Sequence, residues 1–227
     1  MRLHRFYTKE KNGDSGEIEI SEERIVHQVR NVFRLEVGDR VIVFDGSGFD
    51  FESEIIKIDK KVLLLTVLKK EKVFVPEKKL TLFMSVIKKE NFELVCEKAT
   101  ELGVSQIIPI VTERTLVKNL NRERIEKILV EASEQCGRGD VPEFGEIMNL
   151  ELVIKNTKDL VVCDMDGVSL SNIPHSTFNT LLIGPEGGWS EEERKKFKEK
   201  NVNIITLGET VLRAETAAIV GVAFLMN

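Results

Sequence analysis

Cysteine is scarce and unpatterned in this chain of 227 residues. Cys96, Cys136 and Cys163 are odd in number, lie far apart and form no C-x-x-C pair, which argues against both a disulfide framework and a zinc site. Such usage fits a reducing cytoplasm. The three histidines, His4, His27 and His175, have no metal-ligand spacing, so no metal is expected. No apolar run approaches the roughly 18 residues of a spanning helix, and Met1-Arg2-Leu3-His4-Arg5-Phe6 lacks the apolar core of a signal peptide. Neither a membrane partner nor export is expected. A net charge of −5 argues against coating nucleic acid by bulk attraction, though it leaves room for a local basic patch. There is no G-x-S-x-G nucleophile elbow, no internal repeat and no low-complexity tract.

What is present is a change of rhythm. With 42% apolar residues the chain can bury one large core or two modest ones. Up to about residue 70 it reads as short strands near His4–Tyr7 and at Glu17–Ile20, Arg40–Phe44, Phe49–Ile58 and Lys61–Lys70. Asp45-Gly46-Ser47-Gly48 and Asp59-Lys60 serve as turns. One helix interrupts them, with Ser21 as its expected N-cap and Ile25, Val26 and Val29 at helical spacing. A small, closed or nearly closed β-barrel follows from this pattern. The charged, proline-bearing stretch from Lys69 to Lys79 sets a boundary, giving expected domains of 1–72 and 73–227. Beyond it strands alternate with helices: Leu80–Val86, Asn91–Leu102, Gln106–Val111, Arg122–Gln135, Leu160–Cys163, Thr180–Ile183, a helix after Ser190, Asn203–Leu207, and a last helix over Ala214–Leu225. That alternation predicts an α/β domain with a parallel sheet covered on both faces.

Two stretches organise this second domain. Leu181-Leu182-Ile183-Gly184-Pro185-Glu186-Gly187-Gly188 and Leu207-Gly208-Glu209-Thr210-Val211-Leu212-Arg213 each pass from an apolar run into a glycine turn, where backbone can face a ligand. Ser190 and Glu193 have capping-box spacing, so a helix should start just after the first turn. Neither stretch has the Gly-Lys-Ser/Thr ending of a P-loop or the G-x-G-x-x-G pattern, so the pocket should hold something other than a nucleotide in those loops. A third stretch, Val161-Val162-Cys163-Asp164-Met165-Asp166-Gly167, resembles the nucleophile motif of haloacid-dehalogenase-type phosphohydrolases. Its late position leaves too little chain for the remaining catalytic elements of that family. Asp164 and Asp166 are therefore read as turn residues at a strand end.

The ordered set of motifs resembles the RsmE family of RNA methyltransferases, of the SPOUT superfamily. It comprises the two glycine turns, Leu212-Arg213-Ala214-Glu215-Thr216-Ala217, Lys98–Val104, Thr112-Glu113-Arg114, Glu131–Arg138 and His27 through Phe33-Arg34-Leu35 with Gly38-Asp39, and so covers most of the chain. One departure is Thr210, where family members commonly carry arginine. The resemblance implies methylation of N3 of a uridine in 16S ribosomal RNA, or in the small ribosomal subunit, using S-adenosylmethionine. It also implies a C-terminal trefoil knot, a homodimer and a PUA-like N-terminal barrel that holds RNA.

Beside that resemblance the residues carry their own chemistry. Leu182, Ile183, Gly184, Pro185, Gly187, Gly188, Leu207, Gly208, Val211 and Leu212 form the expected cofactor set, presenting main-chain N–H and C=O groups to adenine and ribose. Arg213 is the candidate for stabilising charge on the base, with Glu186 and Glu215 as candidate proton acceptors. A structural Arg213–Glu215 bridge is the competing account of that pair. Arg2, Arg5, Arg30, Arg34, Arg114 and Arg138 are expected phosphate contacts. A non-catalytic RNA-binding or ribosome-assembly factor of the same fold stands as the alternative function.

Overall fold

The computed structural model describes residues 3–10, 16–116, 119–169 and 178–226. Arg2 and His175 lie outside the described residues. The chain packs as two units: residues 1–75 together with 133–141, and residues 76–132 together with 142–227.

The first unit holds β1 (Arg5–Tyr7), β2 (Glu17–Ile20), α1 (Glu23–His27), a π-helical turn over Gln28–Val32, β3 (Arg40–Phe44), β4 (Phe49–Ile58) and β5 (Leu63–Lys72). The strands form one sheet in the order β1-β3-β4-β5-β2. Every pairing is antiparallel except β1 with β3. Alternation does the sorting: in Glu17-Ile18-Glu19-Ile20 the isoleucines are buried and the glutamates exposed. Phe6, Ile18, Ile20, Val41, Val43, Phe51, Ile55, Leu63 and Leu65 share a core with Ile25, Val26 and Val29 of the helical segment. The expected N-cap is corrected: Glu22 occupies that position, and Ser21 instead donates its hydroxyl to Glu10 Oε1 at 2.8 Å.

Residues 133–141 join this unit through buried polar contacts. The Arg5 guanidinium stacks 3.6 Å over the Phe44 ring, pairs with Asp50 at 2.6 Å and donates to the carbonyls of Ser133 and Arg138, both at 2.9 Å. Glu134 Oε1 accepts from the Tyr7 N–H and from Arg24. An unpaired charge at such depth costs several kcal/mol, on the order of 3–5, so the reciprocal pairing is what makes its burial tolerable.

The second unit holds β6 (Thr81–Ser85), α2 (Lys89–Glu101), β7 (Gln106–Val111), α3 (Arg122–Cys136) up to Ala132, its last turn counting with the first unit, β8 (Glu143–Phe144), β9 (Met148–Asn149), α4 (Leu150–Asn156), β10 (Val161–Ser169), β11 (Thr180–Ile183), α5 (Glu191–Glu199), β12 (Asn203–Thr206) and α6 (Ala214–Met226). The strand order is β12-β10-β11-β6-β7-β8, with β9 also on β7, and every ladder is parallel. Strands buried on both faces read as continuous apolar runs, and Leu181, Leu182 and Ile183 are all buried. The order positions the site. From β6 the chain moves outward through β7 to β9, then returns to the far side for β10, β11 and β12. In such open sheets a crevice forms beyond the carboxyl ends of the strands, where the direction of winding reverses.

Three short elements, β8, β9 and α4, carry too little periodicity to be visible in the sequence. The reading of Asp164 and Asp166 as turn residues is corrected in part. β10 runs on through them with a bulge, Cys163 and Val168 both pairing with Ile205 of β12.

Candidate functional site

At the carboxyl ends of β10, β11 and β12 lies a cavity of about 700 Å³. One side is the turn from Ile183 to Trp189. Trp189 is 2% exposed, donates its indole N–H to the Cys163 carbonyl at 2.9 Å and meets the Phe197 ring edge-on with centroids 5.1 Å apart. A Cβ on Gly184 would stand 3.0 Å from that indole, so a side chain there would press on the ring. Gly188, at φ +65°, makes the left-handed step that closes the turn, with its N–H on the Pro185 carbonyl.

The turn is fixed from behind by the start of α5. The Ser190 hydroxyl accepts from the Glu193 N–H, and Glu193 Oε2 accepts from the Ser190 N–H: the capping box expected from the sequence. A second loop is latched to it. Glu193 Oε1 accepts from the Glu113 N–H at 2.9 Å, and the Ser190 hydroxyl donates to Glu113 Oε2 at 2.6 Å. The neighbouring Arg114 donates to the Gly187 carbonyl at 2.8 Å. Glu186 Oε1 accepts from the Lys88 N–H, joining the same turn to the start of α2.

The opposite side is the segment from Ile205 through Glu215. Leu207, Thr210, Val211, Leu212, Arg213 and Glu215 line the cavity, together with Ile183, Gly184, Pro185, Glu186, Gly187 and Gly188 from the first turn. The two glycine turns separated by about twenty residues of sequence therefore face one space. Two members of the expected cofactor set stand apart: Leu182 is fully buried in the core beneath the sheet, and Gly208 is exposed beside the lining. Arg213 is exposed at the cavity, and among the described residues its guanidinium has no hydrogen bond or ion pair, so the structural Arg213–Glu215 bridge is not formed. Glu215, 8% exposed in the first turn of α6, has its Oε2 buried without a partner. A buried carboxylate oxygen left unpaired is costly.

The sequence did not single out Trp189, Lys88, Asn91 or Arg194, which also line the cavity. Trp189 had a signal in its place directly after the glycine turn. The basic residues divide sharply. Arg30, Arg34 and Arg114 are exposed. Arg5 and Arg138 are not: Arg5 is committed to Asp50 and two carbonyls, and Arg138, 3% exposed, pairs with Asp140 at 2.9 Å. Both are withdrawn from the phosphate-contact set, because their guanidinium groups are consumed within the fold.

Comparison with known proteins bears on this geometry. An RNA methyltransferase domain matches residues 75–226, and an RNA methyltransferase PUA domain matches residues 23–68. A ribosomal RNA small subunit methyltransferase E from Rickettsia conorii is 31% identical, over 98% of this chain and 95% of its own length. The chain belongs to that methyltransferase family. A second small-subunit methyltransferase E, from Aquifex aeolicus, is 28% identical over 99% of this chain and all of its own length. Among solved structures, a Legionella pneumophila methyltransferase in complex with bound SAM superposes with a TM-score of 0.90 at 30% identity, covering 99% of this chain and 97% of that one. A Neisseria gonorrhoeae small-subunit methyltransferase E bound to S-adenosyl methionine gives 0.90 at 27% identity, covering 98% and 96%. The N-terminal unit is thus the family's PUA domain, and the parallel sheet with its paired glycine turns is the family's methyltransferase domain.

Proposed function

We propose that this chain transfers a methyl group from S-adenosylmethionine to N3 of one uridine in 16S ribosomal RNA, acting in the cytoplasm as a homodimer whose C-terminal segments form a trefoil knot. The observation that carries the reading is the cavity itself, with two glycine turns on its walls and the unpartnered Glu215 Oε2 among its lining. A volume of about 700 Å³ suits a ligand the size of an adenosyl amino acid. Gly184, Pro185, Gly187 and Gly188 offer backbone close to adenine and ribose on one side, and Leu207, Val211 and Leu212 on the other.

Adenosylmethionine, when bound, supplies an electrophilic methyl group. The protein's task is to present a deprotonated uridine nitrogen to it. Glu215 Oε2 accepts the N3 proton. Proton transfer to a side chain held at the cavity wall is the general-base step the reaction needs. Arg213, whose guanidinium is uncommitted, stabilises the charge that spreads onto the uracil oxygens. Glu186 has a different part: its carboxylate holds the Lys88 N–H and so fixes the turn.

Arg30, Arg34 and Arg114 contact RNA phosphates in this reading, with residues 1–72 as the RNA-holding domain and 73–227 as the catalytic one. Support for the homodimer comes from α6, which is apolar from Ala217 to Met226 and leaves Val220 39% exposed. Calorimetry with S-adenosylmethionine tests the reading. Micromolar-range binding is expected, and Glu215→Gln should keep that binding while losing on the order of 10²–10⁴ in transfer rate. Absence of binding to the wild-type protein would sink the methyltransferase reading and favour the non-catalytic assembly factor.

A further inference from the structure

The cavity wall holds one charged feature that neither glycine turn explains. Asp164, on the bulge of β10, and Arg194, one turn into α5, both line it. Arg194 Nε donates to Asp164 Oδ2 at 2.7 Å and Nη2 to Oδ1 at 3.0 Å, a two-pronged pair with side chains 29% and 5% exposed. Among the described residues it is the only ion pair formed between two residues of the lining. Asp164 Oδ1 also accepts the Met165 N–H at 2.7 Å. The pair is rigidly mounted. The Arg194 N–H bonds the Ser190 carbonyl at the capped start of α5, and the Trp189 indole holds the Cys163 carbonyl beside Asp164.

The pair is also incompletely used. A guanidinium has five N–H groups. Two serve Asp164 and a third reaches Glu191 Oε1 at 3.2 Å, a carboxylate 86% exposed and easily displaced. The Asp164 carboxylate likewise keeps acceptor capacity beyond its three bonds. Bonding to Asp164 raises the Arg194 pKa above its ordinary value, so the cation persists at every working pH.

We propose that the Asp164–Arg194 pair is the recognition site for the amino-acid end of the methyl donor. The α-carboxylate is received by the outward N–H groups of Arg194 and the α-ammonium by Asp164. The chemistry is matched in both signs. A zwitterion meets a neutral ion pair with each charge opposite its counterpart, whereas a single cation on the wall would select any anion. The pairing also separates tasks within the cavity: backbone turns take the adenosine, which is uncharged, and the one fixed side-chain pair takes the charged tail. Glu191 acts as a placeholder on the guanidinium, released when the carboxylate arrives. Both residues hold the donor directly and take no part in the transfer itself.

This inference rests on the cavity taking adenosylmethionine, and the test keeps the two apart. Calorimetry compares S-adenosylhomocysteine with methylthioadenosine, which has the same adenosine and thioether but no amino-acid group. Wild-type protein should bind the former at least about tenfold more tightly, the scale of one charge-assisted hydrogen-bond pair. Arg194→Gln and Asp164→Asn should reduce that ratio to about threefold or less, chiefly by weakening S-adenosylhomocysteine, with methylthioadenosine affinity nearly unchanged. A pair that merely staples β10 to α5 would lower both affinities together or neither, and either result overturns the proposal. Should those variants fail to melt cooperatively, wild type and Arg194→Lys carry the comparison. Equal wild-type affinity for the two ligands then overturns it without any variant. Failure of wild type to bind either ligand would instead remove the cavity reading on which the proposal stands.

Discussion

Gly184 and Trp189 should be energetically coupled, and the structure sets the size of the coupling. A methyl group added at Gly184 would lie 3.0, 3.2 and 3.3 Å from Cε2, Cζ2 and Cδ2 of Trp189. Carbon atoms prefer about 3.5–4.0 Å, so the ring or the turn must move by a few tenths of an ångström. The ring has little freedom, held by the Cys163 carbonyl at 2.9 Å and by Phe197 at 5.1 Å. Gly184→Ala should therefore cost ~1–3 kcal/mol, the usual penalty of overpacking a filled core. Trp189→Phe forfeits the indole hydrogen bond to the Cys163 carbonyl, costing ~0.5–1.5 kcal/mol before any cavity penalty. It also removes Cε2 and Cζ2, the two atoms nearest the new methyl. In that background Gly184→Ala should cost under about 0.5 kcal/mol, giving a favourable coupling of ~1–2 kcal/mol. Urea unfolding followed by far-ultraviolet circular dichroism is the assay, because the chain's single tryptophan is itself replaced. Costs that add to within about 0.5 kcal/mol would refute the claim that a side chain at Gly184 presses on the indole beneath it.

Arg34 sits at φ +53°, one residue beyond the Phe33 cap of the π-helical turn, with the Leu35 N–H bonded back to the Val29 carbonyl. That left-handed position ordinarily takes glycine and costs an L-residue ~1–2 kcal/mol. Arg34→Gly should raise stability by ~0.5–1 kcal/mol, part of the relief being offset by chain entropy, while weakening RNA binding in a filter or anisotropy assay; a variant both less stable and undiminished in RNA binding would contradict the account. Thiol chemistry gives another check. Burial pushes the Cys163 thiol up to about 12 and raises that of Cys96 as well, whereas Cys136 is exposed. Ellman's reagent at pH 8 should titrate Cys136 alone in the native protein. Because the folded-state values lie above the ordinary 9.0, their contribution is complete below that pH. Stability should therefore fall as pH climbs from about 9 toward 12, where only the unfolded thiols ionise, and Cys163→Ala should flatten that slope in pH-dependent urea melts.

Local features were legible in the sequence because their causes are local. The capping box from Ser190 to Glu193, the buried run Leu181–Ile183 and the alternation of Glu17–Ile20 are each decided within a few residues. The two glycine turns could be recognised as one pocket only because each closes a strand of a parallel sheet, where carboxyl ends converge. What the sequence hid are choices made by distant partners. Arg5 looked like a phosphate contact until Asp50, 45 positions away, and the Arg138 carbonyl, 133 positions away, claimed it. Asp164 looked like a turn residue because its partner Arg194 lies 30 residues on. Ser21 had the composition of an N-cap, yet its hydroxyl bonds Glu10 across a loop and leaves that position to Glu22. Residues 133–141, which pack with the N-terminal unit, carry no mark of it in their own pattern. In each case propensity was overridden by a contact between residues far apart in sequence.

The central claim is that the cavity between the glycine turns serves methylation of one uridine at N3. The direct measurement is mass-spectrometric mapping of modified nucleotides in 16S ribosomal RNA from cells with the gene intact, deleted, or replaced by the Glu215→Gln form. The account predicts a single N3-methyluridine present with the intact gene, absent on deletion and not restored by the variant. An unchanged modification map after deletion, or full restoration by Glu215→Gln, would contradict it.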